Sequence, residues 1–187
     1  MIIAWPLGAK FFHELLKVDE REAETAQRGG CRRCGERLDR ADYPRKPRGL
    51  PPWAEELFAR RLSLCCSRDG CRKRLTPRSV RFLGRRVYAG VVVLLASVST
   101  LVAAGAGVPR RTARRWTAWW QTVFVASAFW RAARGRLMPP VDETRLAAAL
   151  VERFVAGGRD AEQALVRVLG FVSPVTTAPS SFSRDGP

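Results

Sequence analysis

The alternation of apolar and polar residues divides the chain into a helical start, an irregular middle and a helical second half. Residues 8–26 place four apolar side chains on one side of a helix among lysines and glutamates, and Gly29 and Gly30 end it. Residues 31–84 contain only short runs typical of strands, separated by prolines and glycines. Residues 85–135 return to helical periodicity, so the pattern predicts mainly α-helix around a small irregular module.

Two more helices are predicted after Pro139 and Pro140. Asp142 is suited to cap a helix to about residue 156, and Asp160 to cap another to about residue 169. The predicted regions are a helical preface over 1–30, a module over 31–84, a helix-turn-helix region over 85–136, C-terminal helices over 137–171, and a disordered tail over 172–187.

The five cysteines form two close groups within the irregular module. Cys31 and Cys34 make a C-x-x-C pair followed by Gly35, and 31 residues after Cys34 begins the second group, Cys65, Cys66 and Cys71. Two intervening residues allow one tight turn to place both sulfurs about 2.3 Å from a single tetrahedral zinc ion. The spacing predicts one structural Zn²⁺ bound by Cys31, Cys34, Cys66 and Cys71.

Cys65 is an alternative to Cys66 as the third ligand. Cys66 with Cys71 gives C-x4-C, the usual spacing, whereas Cys65 with Cys71 gives the looser C-x5-C. A redox function of C-x-x-C would need a strand-to-helix context, which the pattern lacks. His13 is the chain's one histidine and lies outside the module. No nucleophile with a base and no carboxylate pair has a recognisable setting, so we expect no enzymatic activity.

Positive charge is concentrated in the middle of the chain. Residues 31–90 carry 17 basic and 6 acidic side chains, and residues 109–136 carry 7 and 0, within a total net charge of +16. Such a concentration favours a polyanionic partner. The candidates for phosphate contacts beside the cysteines are Arg32, Arg33, Arg45, Lys46, Arg48, Arg72 and Lys73. Paired cysteine groups also suit a reducing compartment, so we expect a cytoplasmic, nucleoid-associated protein.

Residues 87–108 are 22 consecutive uncharged residues and could form one membrane span. Basic pairs on both sides give no preferred orientation, and Gly105, Gly107 and Pro109 interrupt the C-terminal end. The alternative interpretation divides the segment into a helix near 85–95 and a shorter one near 97–104. A single-span membrane protein with a cytosolic zinc ribbon therefore remains an alternative to a DNA-binding protein.

A helix that begins at Pro109 would be strongly amphipathic. Its buried face is predicted to carry Ala113, Trp116, Trp120 and Val123. Its other faces carry Arg110, Arg111, Arg114, Arg115, Thr117 and Gln121, which are the candidates for contacts with bases or phosphates. An aromatic face opposite an arginine face, after a glycine-containing turn, is typical of a helix-turn-helix.

Residues 107–116, GVPRRTARRW, resemble the turn and recognition helix of homeodomain-like helix-turn-helix domains in bacterial transposases and invertase-type recombinases. There the pattern G-V-S-x-x-T-apolar-x-R-W is common. The cysteine ribbon before it is similar to small zinc-ribbon proteins of insertion sequences, and the resemblance covers roughly residues 31–124. Pro109 stands where the pattern has a serine cap. No acidic catalytic domain follows, so the transposase's chemistry is not implied.

The sequence thus predicts a mainly α protein with a small zinc-ribbon-like β module followed by a helix-turn-helix bundle. The function that this favours is non-enzymatic binding of duplex DNA, as a transposon-associated accessory factor or transcriptional regulator. A transposase or another protein is a possible partner under this interpretation. An RNA- or ribosome-associated ribbon protein would carry the same charge and is the second alternative.

Overall fold

The computed structural model describes residues 7–84, 86–156 and 160–177. The helices are α1 (Ala9–Arg28), α2 (Gly90–Val98), α3 (Thr100–Gly105), α4 (Arg110–Trp119), α5 (Ala128–Ala133), α6 (Leu146–Val155) and α7 (Ala161–Val172). The strands are β1 (Leu38–Arg40), β2 (Tyr43–Pro44), β3 (Arg60–Arg61), β4 (Leu64–Cys66) and β5 (Arg74–Leu75). The predicted class, mainly α with a small β region and a helical bundle after it, is confirmed.

Helix α1 forms because its apolar residues recur at helical spacing. Phe11, Phe12 and Leu15 are buried on one side, whereas the glutamates and lysines of the helix are mostly exposed. Gly29 follows the last helical residue, and its N–H donates to the carbonyl of Thr25 at 3.2 Å. We refer to α1–α7 together as the helical bundle, since one continuous apolar cluster runs through it from Leu7 to Val175.

The β region consists of two small antiparallel sheets. In the first, β4 lies in the centre between β1 and β5, with Leu38 opposite Cys66 and Leu64 opposite Leu75. In the second, β2 pairs with β3. We refer to residues 31–40 and 64–75 as the cysteine module, because this first sheet and its turns carry all five cysteines.

The long uncharged segment is divided into two helices. Helix α2 ends at Ser99, whose hydroxyl oxygen accepts a hydrogen bond from the Val102 N–H and caps the start of α3. Helix α3 then ends after six residues. Within the described parts of the chain, no helix has the length and apolar character needed to cross a bilayer.

Helix α4 follows α3 after a short turn in which Gly107 has φ +64°, a conformation that glycine adopts without strain. Ala113, Trp116 and Trp120 are buried as predicted, but Val123 is 45 % exposed. The prediction for Val123 was wrong because Trp120–Phe124 form a π-helical turn. Its wider winding rotates the following residues, and Phe124 enters the core instead.

The C-terminal part differs from the prediction in two places. Asp142 does cap, but it accepts from the Thr144 N–H at a 3-10 turn that precedes α6. Asp160 makes no side-chain capping bond at α7. The predicted disordered tail is wrong for residues 172–177, since Val172 and Val175 are buried around a 3-10 turn. The rest of that tail, residues 178–187, lies outside the described residues.

Candidate metal centre and basic surfaces

The thiols of Cys31, Cys34, Cys66 and Cys71 lie together, all four sulfurs within 4.8 Å of one another. The Sγ atoms of Cys31 and Cys71 are 3.8 Å apart, and those of Cys34 and Cys66 are 3.5 Å apart. A tetrahedron with zinc–sulfur bonds of about 2.3 Å has edges of about 3.8 Å. These separations exceed a disulfide bond and match the edges of a zinc tetrahedron, so the residues fit one structural Zn²⁺.

The first cysteine pair lies in a turn immediately after α1. The Gly35 N–H donates to the Cys31 carbonyl at 2.7 Å, and the Cys31 N–H donates to the Glu36 carbonyl at 2.8 Å. Gly35 has φ +76°, which a residue with a side chain would adopt only with strain. This turn brings both sulfurs to the same side, as the C-x-x-C-G pattern predicts.

The second pair is held by the central strand and the turn after it. Cys66 ends β4, where its N–H donates to the Lys73 carbonyl at 3.0 Å. Cys71 follows a tight turn closed by its own N–H, which donates to the Arg68 carbonyl at 3.1 Å. The pairing of β1 with β4 sets Leu38 opposite Cys66 and so brings the two cysteine groups together.

Cys65 lies outside this cluster. Side chains alternate along β4, so Leu64 and Cys66 are buried while Cys65 between them is half-buried. Its thiol lies 3.5 Å from the Arg72 carbonyl oxygen. The geometry therefore places Cys66, and not Cys65, with the other three thiols.

Two of the thiols, Cys31 and Cys66, differ in how readily they ionise. Hydrogen bonds from the backbone N–H groups of Arg33 and Cys34 lower the pKa of the Cys31 thiol to about 6. Burial raises the pKa of the Cys66 thiol to about 12. Because zinc binds thiolates, Cys66 would lose its proton to the metal at a greater cost than Cys31.

The arginines of α4 form an exposed basic surface of the bundle. Arg110, Arg111, Arg114 and Arg115 are exposed, whereas Trp116 on the opposite side packs against the Tyr88 ring, with centroids 5.1 Å apart. Within the described chain, none of these four arginines has a carboxylate within 4.0 Å. Their charge is therefore available to an anionic partner.

Two other residues predicted on this helix have hydrogen-bond partners within the chain. The Thr117 hydroxyl is half-buried and donates to the Ala113 carbonyl at 3.2 Å. Gln121 is exposed, and its side-chain amide donates to the Thr144 carbonyl. The four arginines are therefore the members of the predicted set on α4 that are exposed and have no ion-pair partner in the described chain.

The basic candidates near the cysteines also divide into exposed residues and residues with partners inside the protein. Exposed positions are Arg32, Arg33, Lys46, Arg48, Arg72 and Lys73. Arg45 is half-buried, donates to the Arg86 carbonyl at 2.6 Å, and lies 5.4 Å from the centre of the Phe82 ring. The loop that carries Lys46 also reaches the bundle, because the Arg48 N–H donates to the Val87 carbonyl at 2.7 Å.

Sequence reasoning missed a buried ion pair between Asp19 and Arg81, whose Oδ2 and Nε atoms are 2.8 Å apart. The same carboxylate accepts from the Ser79 hydroxyl at 2.5 Å and from the Val80 N–H at 2.7 Å. A signal was present, because Asp19 continues the buried row of Phe12 and Leu15 along α1. This network ties the first helix to the segment between the cysteine module and α2.

Comparison of the chain with known protein families, with curated proteins and with solved structures gave no match. The four clustered cysteines in a small β region support a zinc-ribbon-like module, and this support comes from geometry alone.

Proposed function

We propose that this protein binds duplex DNA, with α4 as the recognition element and the cysteine module as a zinc-stabilised support for phosphate contacts. One Zn²⁺ has a structural role, since four cysteines complete its tetrahedron and leave no position for a substrate. The proposal includes no catalytic step. It agrees with the resemblance of residues 107–116 to transposase helix-turn-helix segments, and it favours a transposon-associated accessory factor or a transcriptional regulator.

The observation that carries the proposal is the amphipathic character of α4, which has a buried apolar face and an exposed arginine face. Its inner side is fixed by Ala113, Trp116 and Trp120, which are buried against α2 and its surroundings. Its outer side presents the four exposed arginines, and α3 precedes it across the turn at Gly107. A helix held in this way by a second helix can enter the major groove, where arginine pairs with guanine O6 and N7.

The test measures the affinity of the zinc-loaded chain for labelled duplex DNA over a series of salt concentrations. We expect salt-sensitive binding, since each phosphate contact releases counterions. Replacing two arginines on α4, Arg114→Ala with Arg115→Ala, is expected to weaken duplex binding about tenfold or more.

The matched control is Arg131→Ala with Arg136→Ala, which removes the same charge from two exposed positions after α4. This control is expected to change the affinity about twofold at most, because nonspecific attraction falls only slightly. Equal losses in the two double variants, or no association at low salt, would contradict the proposal. A third experiment measures competition between duplex DNA and structured RNA. Tighter binding of the RNA would identify RNA, and not duplex DNA, as the partner.

A further inference from the structure

A groove of about 1050 Å³ lies where the cysteine module, the end of α1 and the turn after α7 meet. It is separate from the exposed side of α4, none of whose arginines lines it. Its basic lining residues are Arg32, Arg61, Lys73, Arg74 and Arg78. Glu22 is the one acidic side chain among the described residues that line it, and it pairs with Arg78 at 2.6 Å. The remaining four positive charges face the groove without a carboxylate partner in the described chain.

Arg61 is the most unusual of these residues, because it is only 4 % exposed. Its guanidinium donates to the carbonyl oxygens of Leu62 and Pro77, and no carboxylate of the described chain lies within 4.0 Å. Burial lowers the pKa of this guanidinium from its usual value. The Asp19 carboxylate and Tyr43 oppose this lowering, whereas the nearby Arg81 and Arg45 charges add to it. A charge buried in this way is costly unless an anion approaches it.

Three guanidiniums surround the Phe82 ring, which lines this groove together with Arg61. The guanidinium carbons of Arg45, Arg61 and Arg81 lie 5.4, 5.9 and 5.3 Å from the centre of the Phe82 ring. Asp19 forms an ion pair with Arg81, and its charge also acts on Arg61. The like charges of this cluster repel one another, so the cluster favours a bound anion.

We propose that this groove binds the phosphate groups of a single nucleic-acid strand, independently of the duplex site on α4. Because Arg61 is buried, a flexible single strand is better suited to approach it than the rigid backbone of a duplex. The half-buried Tyr43 ring also lines the groove and offers a surface for base stacking. A basic groove that follows a backbone, together with aromatic side chains, is the usual arrangement for single-strand binding.

The test uses the full zinc-loaded chain and a labelled oligothymidylate of about 12 nucleotides, a length within the usual range of site sizes. Arg74→Ala with Arg78→Ala removes two exposed charges of the groove, neither of which is among the predicted duplex contacts. We expect this variant to bind the oligothymidylate about tenfold more weakly and duplex DNA within about twofold of the parent chain. Arg61→Lys keeps the charge but removes the planar guanidinium with its paired N–H donors. It is therefore also expected to weaken single-strand binding.

The matched control is Arg40→Ala with Arg68→Ala, two exposed positions of the cysteine module that do not line the groove. It is expected to leave single-strand affinity within about twofold of the parent chain. The α4 variant, Arg114→Ala with Arg115→Ala, should lose duplex binding and keep single-strand binding. Zinc content measured for every variant separates a loss of the site from a loss of the module.

Three outcomes would overturn the groove proposal. The first is no salt-sensitive association with the oligothymidylate, and the second is an equal loss in the groove variant and the Arg40 and Arg68 control. The third is binding of inorganic tripolyphosphate as tight as that of the oligothymidylate, which would make the groove a site for small anions. Duplex binding that depends on α4 could survive each outcome, so failure of this proposal is distinct from failure of the proposed function.

Discussion

The interior of the cysteine module contains four buried side chains, Cys31, Leu38, Leu64 and Cys66, whereas the helical bundle encloses a continuous cluster of more than 30. The largest fully buried side chains of this cluster include Trp120, Trp130, Phe124 and Phe82. Aromatic rings in the bundle also contact one another, as Trp120 and Phe124 do with centroids 4.8 Å apart. The module has no comparable aromatic packing within its described residues.

This difference shows which part of the molecule depends on a metal. Two leucines and two cysteines are a small interior for a module that orders about 20 residues, and small modules of this kind usually depend on a metal or a disulfide. A zinc ion bound by the four clustered thiols would join its two turns and stabilise it. The bundle, in contrast, is stabilised by apolar burial.

The largest expected effect is the loss of zinc from Cys66→Ser. Removing one of four ligands should release the metal, and the module should lose its fold, because structural zinc contributes on the order of 10 kcal/mol. The bundle should keep its structure, since its core does not include the cysteines. Metal analysis, thiol counting and far-ultraviolet circular dichroism measure the two parts separately.

Cys65→Ser is the matched control for that experiment, as it changes the neighbouring thiol that lies outside the cluster. It should retain one zinc per chain, and the parent chain should show one free thiol. Zinc retained by Cys66→Ser and lost by Cys65→Ser would shift the ligand set by one residue. Loss of bundle helicity together with the zinc would show that the two regions are not independent.

The second effect concerns the buried pair that joins α1 to the segment before α2. Asp19→Asn leaves Arg81 as an uncompensated buried charge and should lower the free energy of unfolding by about 3–5 kcal/mol. Urea denaturation of the zinc-loaded chain, followed by tryptophan fluorescence, measures this change. The change should appear without any loss of zinc.

Glu20→Gln is the control for Asp19→Asn, because it removes the same charge from an exposed neighbour. It should alter the free energy of unfolding by less than about 0.5 kcal/mol. A double variant, Asp19→Asn with Arg81→Met, should regain part of the stability, since no unpaired buried charge remains. If it regained none, the bonds from Ser79 and Val80 to the carboxylate would account for the loss.

Local spacing in the sequence was enough to predict several features of the fold. The C-x-x-C-G pattern predicts a turn from five adjacent residues, and the C-x4-C spacing favours Cys66 over Cys65 as the third ligand. The periodicity around Phe11 and Leu15 likewise predicts α1 because each helical turn reports on its neighbours. These features depend on residues close together in the chain.

The features that the sequence did not predict depend on distant partners. Asp19 continues a buried row of α1, but nothing near it in the chain indicates its partner Arg81, which lies 62 positions later. The burial of Arg61 depends on Pro77 and Phe82, which the fold brings beside it. Predicting such partners would require the tertiary arrangement, because charged residues are mostly exposed and the local pattern does not identify the exceptions.

The smallest expected effect distinguishes the π-helical turn from a regular continuation of α4. A regular helix would bury Val123, but the π-helical turn leaves it 45 % exposed and buries Phe124 to 1 %. Val123→Ala should therefore change the free energy of unfolding by less than about 0.5 kcal/mol. Phe124→Ala, one residue later, should lower it by about 3–5 kcal/mol, because its ring packs against Trp120 and Trp130. Chemical denaturation of both variants compares the two positions. A larger loss of unfolding free energy for Val123→Ala than for Phe124→Ala would contradict the π-helical turn and support the regular helix that the sequence alone predicts.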